Sequence, residues 1–263
     1  AFVGQFGENI NPRNIKAALI ELGFKGVHEV ALGADIGAVA EAHHYVEKVV
    51  TGELPFLLTS CCPSWSVMAK NLFPETIDKI SNELTPMVAT ARLIKQEHPD
   101  ASVVFIGPCA SKKLEASRRT VRSDVDFVIT FEELTGMFEA KGILLDEIKA
   151  MDEMKDATAA GRGYGVAGGV ANAIKECIEQ YYPGTPVNIQ HAESLAECKK
   201  ALLLAKAGKM NGCLIEGMAC PGGCIAGAGT NIAIPVAARA VDKFKNEAEK
   251  KVPDESVDQE MVE

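Results

Sequence analysis

The stretch LPFLLTSCCPSW, residues 54–65, decides the fold class of this chain. Residues 54–60 form a mainly apolar run with the length of a buried β-strand. The run ends in two adjacent cysteines, Cys61 and Cys62, and Pro63 then fixes the backbone at the start of a turn. A strand that is apolar on both faces is typical of a parallel sheet covered by helices.

Further strands of this kind alternate with helices along the chain. We predict strands at 27–32, 102–107, 126–130, 186–190 and 212–217, helices at 11–22, 36–50, 86–98, 131–141, 170–181 and 193–208, and a Gly-rich loop at 161–169. The alternation predicts an α/β fold of two lobes, with mainly parallel sheets flanked by helices and the active site between the lobes. We expect an N-terminal lobe over 1–150, a C-terminal lobe over 151–240, and a surface helix with a loose tail over 241–263.

The composition limits the classes of protein to which this chain can belong. The chain has 263 residues, of which 47% are hydrophobic, and a formal net charge of −9. This acidic balance argues against nucleic acid or an anionic membrane as a partner. No apolar run is long enough to cross a bilayer, and the first residues lack a leader pattern, so we expect a cytoplasmic protein without a membrane span. Because the chain does not begin with Met, we also expect further sequence upstream.

Three cysteine motifs each follow a predicted strand. They are TSCCPSW at 59–65, GPCASKKLE at 107–115 and EGMACPGGC at 216–224. In parallel α/β folds, ligands bind beyond the carboxyl ends of the strands, where helix N-termini favour thiolate over thiol. Three strand ends can bring four thiolates to one site. That arrangement suits a four-iron four-sulfur cluster better than zinc, whose ligands usually come in two close pairs.

The other cysteines have no such context. Eight cysteines could form a disulfide framework, but a chain of this length can bury its own core and does not need one. We expect Cys177, Cys198 and Cys213 to be buried structural thiols. Trp65 could pack either over the cluster or in the core.

Together, TSCCPSW, PCASKKLE and EGMACPGGCIAGAG closely resemble the three signature motifs of the FeFe-hydrogenase catalytic domain, in order, over about residues 1–235. The resemblance implies an H-cluster, in which a 4Fe-4S cubane is joined to a diiron subcluster that carries CO, CN and azadithiolate ligands. It implies that the cubane ligands are Cys62, Cys109, Cys220 and Cys224, and that Cys224 also bridges to the diiron subcluster.

The resemblance also implies roles around the diiron subcluster. Cys61 would pass protons to and from the azadithiolate amine, and Lys112 would hydrogen-bond a cyanide ligand. Met218 would pack beside the diiron subcluster. Further backbone and side-chain contacts would come from Gly107, Pro108 and Gly165. Separately from the resemblance, we expect Glu115 to orient Lys112 or a backbone N–H rather than to act as an acid.

Spacing around the first motif extends the resemblance to a proton path. Glu41 and Ser81 fall where the family places its proton-path glutamate and serine. His44 falls at the path's next carboxylate, and a histidine can also shuttle protons. Other departures from the usual family residues, which indicate a divergent subgroup, are Gly107, Met87 and Ala1.

The resemblance implies an oxidoreductase that reversibly reduces protons to dihydrogen, as in anaerobic hydrogen metabolism. Its partners would be a ferredoxin or another electron-transfer subunit or domain, and the maturation proteins that insert the diiron subcluster. A hydrogen sensor with the same cofactor is one alternative, although sensory relatives tend to lose the thiol at the Cys61 position. A Narf-like iron–sulfur assembly protein without a diiron site is another, although those relatives lose the double-cysteine motif.

Overall fold

The computed structural model describes residues 1–122, 124–152, 154–258 and 261. The helices are α1 (Pro12–Leu22), α2 (Ala31–Tyr45), α3 (Pro63–Leu72), α4 (Pro86–Glu97), α5 (Ser111–Ala116), α6 (Phe131–Lys141), α7 (Ala159–Gly163), α8 (Gly169–Tyr181), α9 (Leu195–Lys206) and α10 (Ile234–Asn246). The strands are β1 (Phe56–Leu58), β2 (Val104–Ile106), β3 (Phe127–Ile129), β4 (Asn188–Glu193) and β5 (Cys213–Met218). Short helical turns lie at Val46–Val50, Pro74–Lys79, Cys224–Ala226 and Pro253–Glu255.

The strands form two parallel sheets. The first has the order β1-β5-β4 and the second pairs β2 with β3. In the first sheet, Leu57 and Leu214 face one apolar cluster with α2 and α8, whereas Phe56 and Ile215 face another with α3 and α9. Successive residues of a strand point to opposite faces, so helices cover both sides of this sheet. The predicted α/β class, with parallel sheets flanked by helices, is confirmed.

Local signals set the helix ends. The Asn11 side chain accepts backbone N–H groups at the start of α1, and Thr130 and Glu133 form a reciprocal capping box on α6. Gly23 and Gly142 end these two helices in the left-handed conformation that glycine adopts without strain. The α6 prediction is confirmed at both bounds, 131 and 141.

One of the sheets joins segments from both sides of residue 150. β1 belongs to the first half of the sequence but pairs with β5, from Phe56 opposite Cys213 to Leu58 opposite Ile215. Parallel strands need long crossover connections, so segments that are distant in sequence share one sheet. The first sheet therefore combines strands from both predicted lobes.

The strand predicted at 27–32 is wrong. α2 begins at Ala31, and the preceding turn is held by a buried ion pair between Glu29 and Arg162, with Oε1 and Nε 2.7 Å apart. The small residues after position 31 let this helix approach α4 closely, since a Cβ on Gly33 would lie 2.4 Å from the Pro86 carbonyl oxygen. Among the described residues the second sheet has two strands, and it is less buried than predicted, with Phe127 64% exposed.

Two other predicted segments also differ. The Gly-rich stretch is not a loop throughout, because its first residues form the end of α7, which Thr158 caps with its side-chain oxygen. The tail after α10 was predicted to be loose, but up to residue 257 it is held against the rest of the protein. The carbonyl oxygen of Lys250 accepts the Ala159 N–H at 2.9 Å, Pro253 is buried, and Asp254 accepts the Tyr181 hydroxyl. Residues 259, 260, 262 and 263 of the predicted tail lie outside the described residues.

Within the part of the chain that the structure describes, no helix has both the length and the apolar character that a membrane span requires.

Candidate functional site

One large cavity, of about 1250 Å³, lies where the carboxyl ends of β1, β2 and β5 meet. β1 leads into Cys61 and Cys62, and Cys62 precedes the first turn of α3. β2 leads into Cys109, just before α5. β5 leads into the loop with Cys220 and Cys224, and all five of these cysteines line the cavity.

The four predicted ligand thiols influence one another across this cavity. Burial raises the pKa of the Cys224 thiol to about 12, with further contributions from Cys62 and Cys109. The pKa of Cys220 is raised by burial and then by Cys109 and Cys62. All four are free thiols, and a thiol loses its proton when it coordinates a metal.

The spacing of these donors suits a cluster rather than a single ion. No three His, Cys, Asp or Glu side chains among the described residues converge closely enough to hold one metal ion. Four cysteines on the walls of a common cavity nevertheless match the Cys₄ ligation of a 4Fe-4S cluster, whose iron atoms keep the thiolates apart. The chemistry of the donors therefore fits an iron–sulfur cluster.

Close backbone contacts hold the third cysteine loop in place. Gly223 has a φ of 88°, and a Cβ there would lie 2.6 Å from the Ala167 nitrogen. A Cβ on Gly227 would lie 2.4 Å from the Pro108 carbonyl oxygen. Only glycine permits both approaches. The loop that carries Cys224 is therefore clamped between the Gly-rich stretch and the motif that carries Cys109.

Lys112 is buried at the edge of the cavity. Its ammonium donates to the Cys61 carbonyl oxygen at 3.2 Å and to Glu115 Oε2 at 2.6 Å. Glu115 also accepts the Thr85 hydroxyl at 2.9 Å, so both carboxylate oxygens are used. The expected contact between Glu115 and Lys112 is present. Thr85 was missed, since it lies far away in sequence and has no motif of its own.

The predicted contacts of the diiron subcluster line the same cavity, namely Met218, Gly107, Pro108 and Gly165, together with Met87 and Ala1. Trp65 does not line it. Its ring is fully buried in the core, and its indole N–H donates to the Thr59 carbonyl oxygen at 2.9 Å. A Cβ on Gly217 would lie 2.2 Å from that ring, so core packing explains this tryptophan.

The predicted proton-path residues lie behind Cys61. Burial, followed by the charge of Glu41, raises the pKa of the Cys61 thiol well above its usual value. Burial also raises the pKa of Glu41 to about 7, against the opposing effects of the Ser81 hydroxyl and the Ser60 N–H. Oε2 of Glu41 has no hydrogen-bond partner among the described residues. Such a carboxyl group can take up and release a proton near neutral pH.

A tyrosine also lies beside this path. Tyr164 is buried on the cavity wall, and burial, then the charges of Glu41 and Cys61, raise the pKa of its hydroxyl. It lies in the Gly-rich stretch, where an aromatic residue between two glycines was the available signal.

The remaining cysteines lie outside the cavity lining. Cys177, Cys198 and Cys213 are buried, as expected for structural thiols. Cys198 donates to the carbonyl oxygens of Ala192 and Met218.

Known proteins resemble this chain along most of its length. The family model described as iron only hydrogenase large subunit, C-terminal domain, matches residues 1–228. Iron hydrogenase 1 of Clostridium pasteurianum is 28% identical over 85% of this chain and 46% of its own length. The periplasmic Fe hydrogenase large subunit of Nitratidesulfovibrio vulgaris is 28% identical over 86% of this chain and 64% of its own length. The chain thus spans about half to two thirds of these relatives.

Two further comparisons are with a cluster-assembly factor and with a solved structure. The cytosolic Fe-S cluster assembly factor NAR1 of Meyerozyma guilliermondii is 30% identical over 49% of this chain and 25% of its own length. The fold matches a solved structure of the FeFe-hydrogenase HydA1 from Chlamydomonas reinhardtii with a TM-score of 0.77, at 21% identity, over 94% of this chain and 81% of that chain. At that identity the match supports the fold.

Proposed function

The chain belongs to the family of the iron-only hydrogenase large subunit, C-terminal domain, and on that premise we propose that it is an FeFe-hydrogenase that reversibly reduces protons to dihydrogen. The observation that carries the proposal is the shared cavity. The cavity is lined by four free thiols, a fifth thiol and a buried lysine. A buried glutamate lies behind the fifth thiol. A cluster-assembly protein needs the four thiols but has no use for the proton-handling residues.

In this proposal the cavity holds an H-cluster. Its residues would bind a cubane through Cys62, Cys109, Cys220 and Cys224, and Cys224 would be shared with a diiron subcluster that carries CO, CN and azadithiolate ligands. When bound, the cofactor would supply the electron transfer and the cleavage or formation of dihydrogen. The protein's contribution is to place it, to exclude water and to move protons.

Lys112 would place the diiron subcluster. Its ammonium has three donors, and two are used within the described residues, by Cys61 and Glu115. The third can donate to a cyanide ligand. Met218, Gly107, Pro108 and Gly165 would then contact the rest of the subcluster.

Cys61 would deliver the proton. Its thiol sits at the cavity wall with Glu41 behind it, and the pKa of Glu41 near 7 lets this carboxyl group exchange protons with the thiol at neutral pH. Ser81 would connect Glu41 towards the outside, since its hydroxyl can accept one proton while it donates another.

The partners would be an electron carrier and a maturation system. A ferredoxin, or an electron-transfer subunit or domain, would deliver electrons to the cubane, and separate maturation proteins would insert the diiron subcluster. We also propose a cytoplasmic location. Its support is the relative named as a cytosolic factor, whereas another relative is named as periplasmic.

Infrared spectroscopy tests the proposal. After reconstitution of the cubane and addition of a synthetic diiron complex, we expect bands in the carbonyl and cyanide region and dihydrogen evolution from a reduced dye. Cys62→Ala should lose the cubane, as measured by iron content, whereas Cys213→Ala, at a buried cysteine outside the cavity, should keep it. If the cubane-loaded wild type shows no carbonyl or cyanide bands after the diiron complex has been added, the hydrogenase function is rejected.

A Narf-like assembly protein is the second candidate, because the relatives include NAR1 proteins. In that case the cubane would form but no diiron subcluster would bind. A hydrogen sensor, the third possibility, would bind the diiron subcluster yet turn over slowly, so the turnover rate separates it from an enzyme.

A further inference from the structure

The proton path described so far ends at Ser81, which is buried, so a proton needs a further group to reach solvent. Glu83 follows Ser81 by two positions and is held beside it. The Glu83 N–H donates to Ser81 Oγ at 3.3 Å, and the Ser60 hydroxyl donates to the Glu83 carbonyl oxygen at 3.1 Å. These contacts fix residue 83 to the same two serines that face Glu41.

The Glu83 side chain reaches from there to His44. Oε1 of Glu83 lies 3.8 Å from Nδ1 of His44, which is within ion-pair distance and longer than a direct hydrogen bond. Nδ1 of His44 is buried and has no hydrogen-bond partner among the described residues. A buried ring nitrogen without a hydrogen bond, beside a carboxylate, is unusual for a purely structural pair.

The exposure of this pair increases outwards. Glu41 is buried, whereas the side chains of His44 and Glu83 are 18% and 30% exposed. The two groups therefore lie between the closed interior and solvent. Glu83 also acts on the interior, because its charge contributes to the raised pKa of Glu41.

We propose that Glu83 and His44 form the outer proton-exchange pair of this protein, through which protons pass between solvent and the Ser81–Glu41 contact. The inference rests on the proposed function and adds to it a positioning and relay residue, Glu83, outside the three motifs. Only protons move. In the inward direction the pair takes a proton from water and releases one towards Ser81, which passes its own hydroxyl proton to the Glu41 carboxylate.

The titratable groups around the path interact with one another. The charges of Glu83 and Glu216 act on Glu41, the charge of Glu41 acts on Cys61 and Tyr164, and the His44 ring faces Glu83. The neighbouring His43 is engaged elsewhere, with its Nδ1 2.6 Å from the Tyr182 hydroxyl. Substitutions at Glu83 and His44 can therefore test the relay while the contact between His43 and Tyr182 stays in place.

The test follows the protonation of Glu41 in the protein that carries only the cubane. The infrared band of its carboxylic acid is assigned by its loss in Glu41→Gln, and its return is timed after a jump from high to low pH. We expect Glu83→Gln and His44→Gln to slow reprotonation at least about tenfold. Glu83→Asp should restore most of the rate, since it keeps the carboxyl group.

A matched control comes from the same helical run. Glu47 is exposed and lies three positions after His44, so Glu47→Gln removes the same charge and should leave the rate unchanged. Wild-type reprotonation in either Glu83→Gln or His44→Gln would overturn the pair. This readout does not need the diiron subcluster, so it remains decisive even if the hydrogenase function is rejected by missing carbonyl and cyanide bands.

Discussion

Replacing Glu115 with Gln should destabilise the protein by about 3–5 kcal/mol, because it leaves the Lys112 ammonium as an uncompensated buried charge. Nζ of Lys112 and Oε2 of Glu115 are 2.6 Å apart, and the two side chains are 10% and 5% exposed. At this distance the attraction is about 6 kcal/mol with an effective dielectric constant of 20. Much of that attraction offsets the cost of removing both charges from water, so the loss on breaking the pair exceeds what forming it contributes.

Urea unfolding of the cluster-free protein measures the effect. A double-mutant cycle compares Glu115→Gln, Lys112→Met and the double variant. The double variant should cost less than the sum of the single variants by about 2 kcal/mol, since it leaves no lone charge. Thr85→Val is the control, because it removes only the neutral hydrogen bond to the same carboxylate and should cost about 1 kcal/mol. Additive single and double variants would refute the reasoning.

Three further outcomes are expected. Gly217→Ala should lower the unfolding free energy by about 3 kcal/mol or more in urea, because its Cβ would lie 2.2 Å from the Trp65 ring; an unchanged midpoint would contradict this packing. Ionisation of Glu41 should lower wild-type stability by about 3 kcal/mol as pH rises from below 4.5 through about 7, because its pKa is raised from 4.5 to about 7 in the folded state; Asp35, whose pKa is also raised to about 7, adds to the total decline. Glu41→Gln should lack this part of the decline, and parallel pH curves for the two proteins would count against the assignment. Asp254→Ala should cost about 1–2 kcal/mol and leave the iron content unchanged, because the Tyr181 hydroxyl loses its acceptor and neither residue lines the cavity; iron loss would show that the tail supports the site.

Much of the fold could be predicted because its signals are local. The run FLL at 56–58 is apolar on both faces, and the Thr130 capping box with Gly142 defines α6. The strand expected at 27–32 failed for a reason that is not local. Its outcome depends on Glu29 meeting Arg162, a residue 133 positions away. Neither residue belongs to a sequence pattern that predicts this contact.

The candidate site also combines features that the sequence predicts with contacts that it does not. Each cysteine motif follows a strand, and neighbouring parallel strands end at one edge of a sheet, so the convergence of Cys62 and Cys224 could be predicted. Cys109 follows β2 of the second sheet and lines the same cavity because the two sheets pack together. The contacts that support the site could not be predicted. Thr85 reaches Glu115 only through tertiary packing, and Glu83, between the turn Pro74–Lys79 and α4, meets His44 on α2.

The pairing of β1 with β5 also sets the order of events during synthesis. Phe56 leaves the ribosome roughly 160 residues before its partner Cys213, which corresponds to about 8–30 s at ordinary translation rates. Until β5 arrives, β1 lacks its neighbour and the Cys62 thiol next to it is part of an incomplete site. The four-cysteine site is complete only after Cys220 and Cys224 have also been synthesised, and until then an unligated Cys62 thiol is open to oxidation.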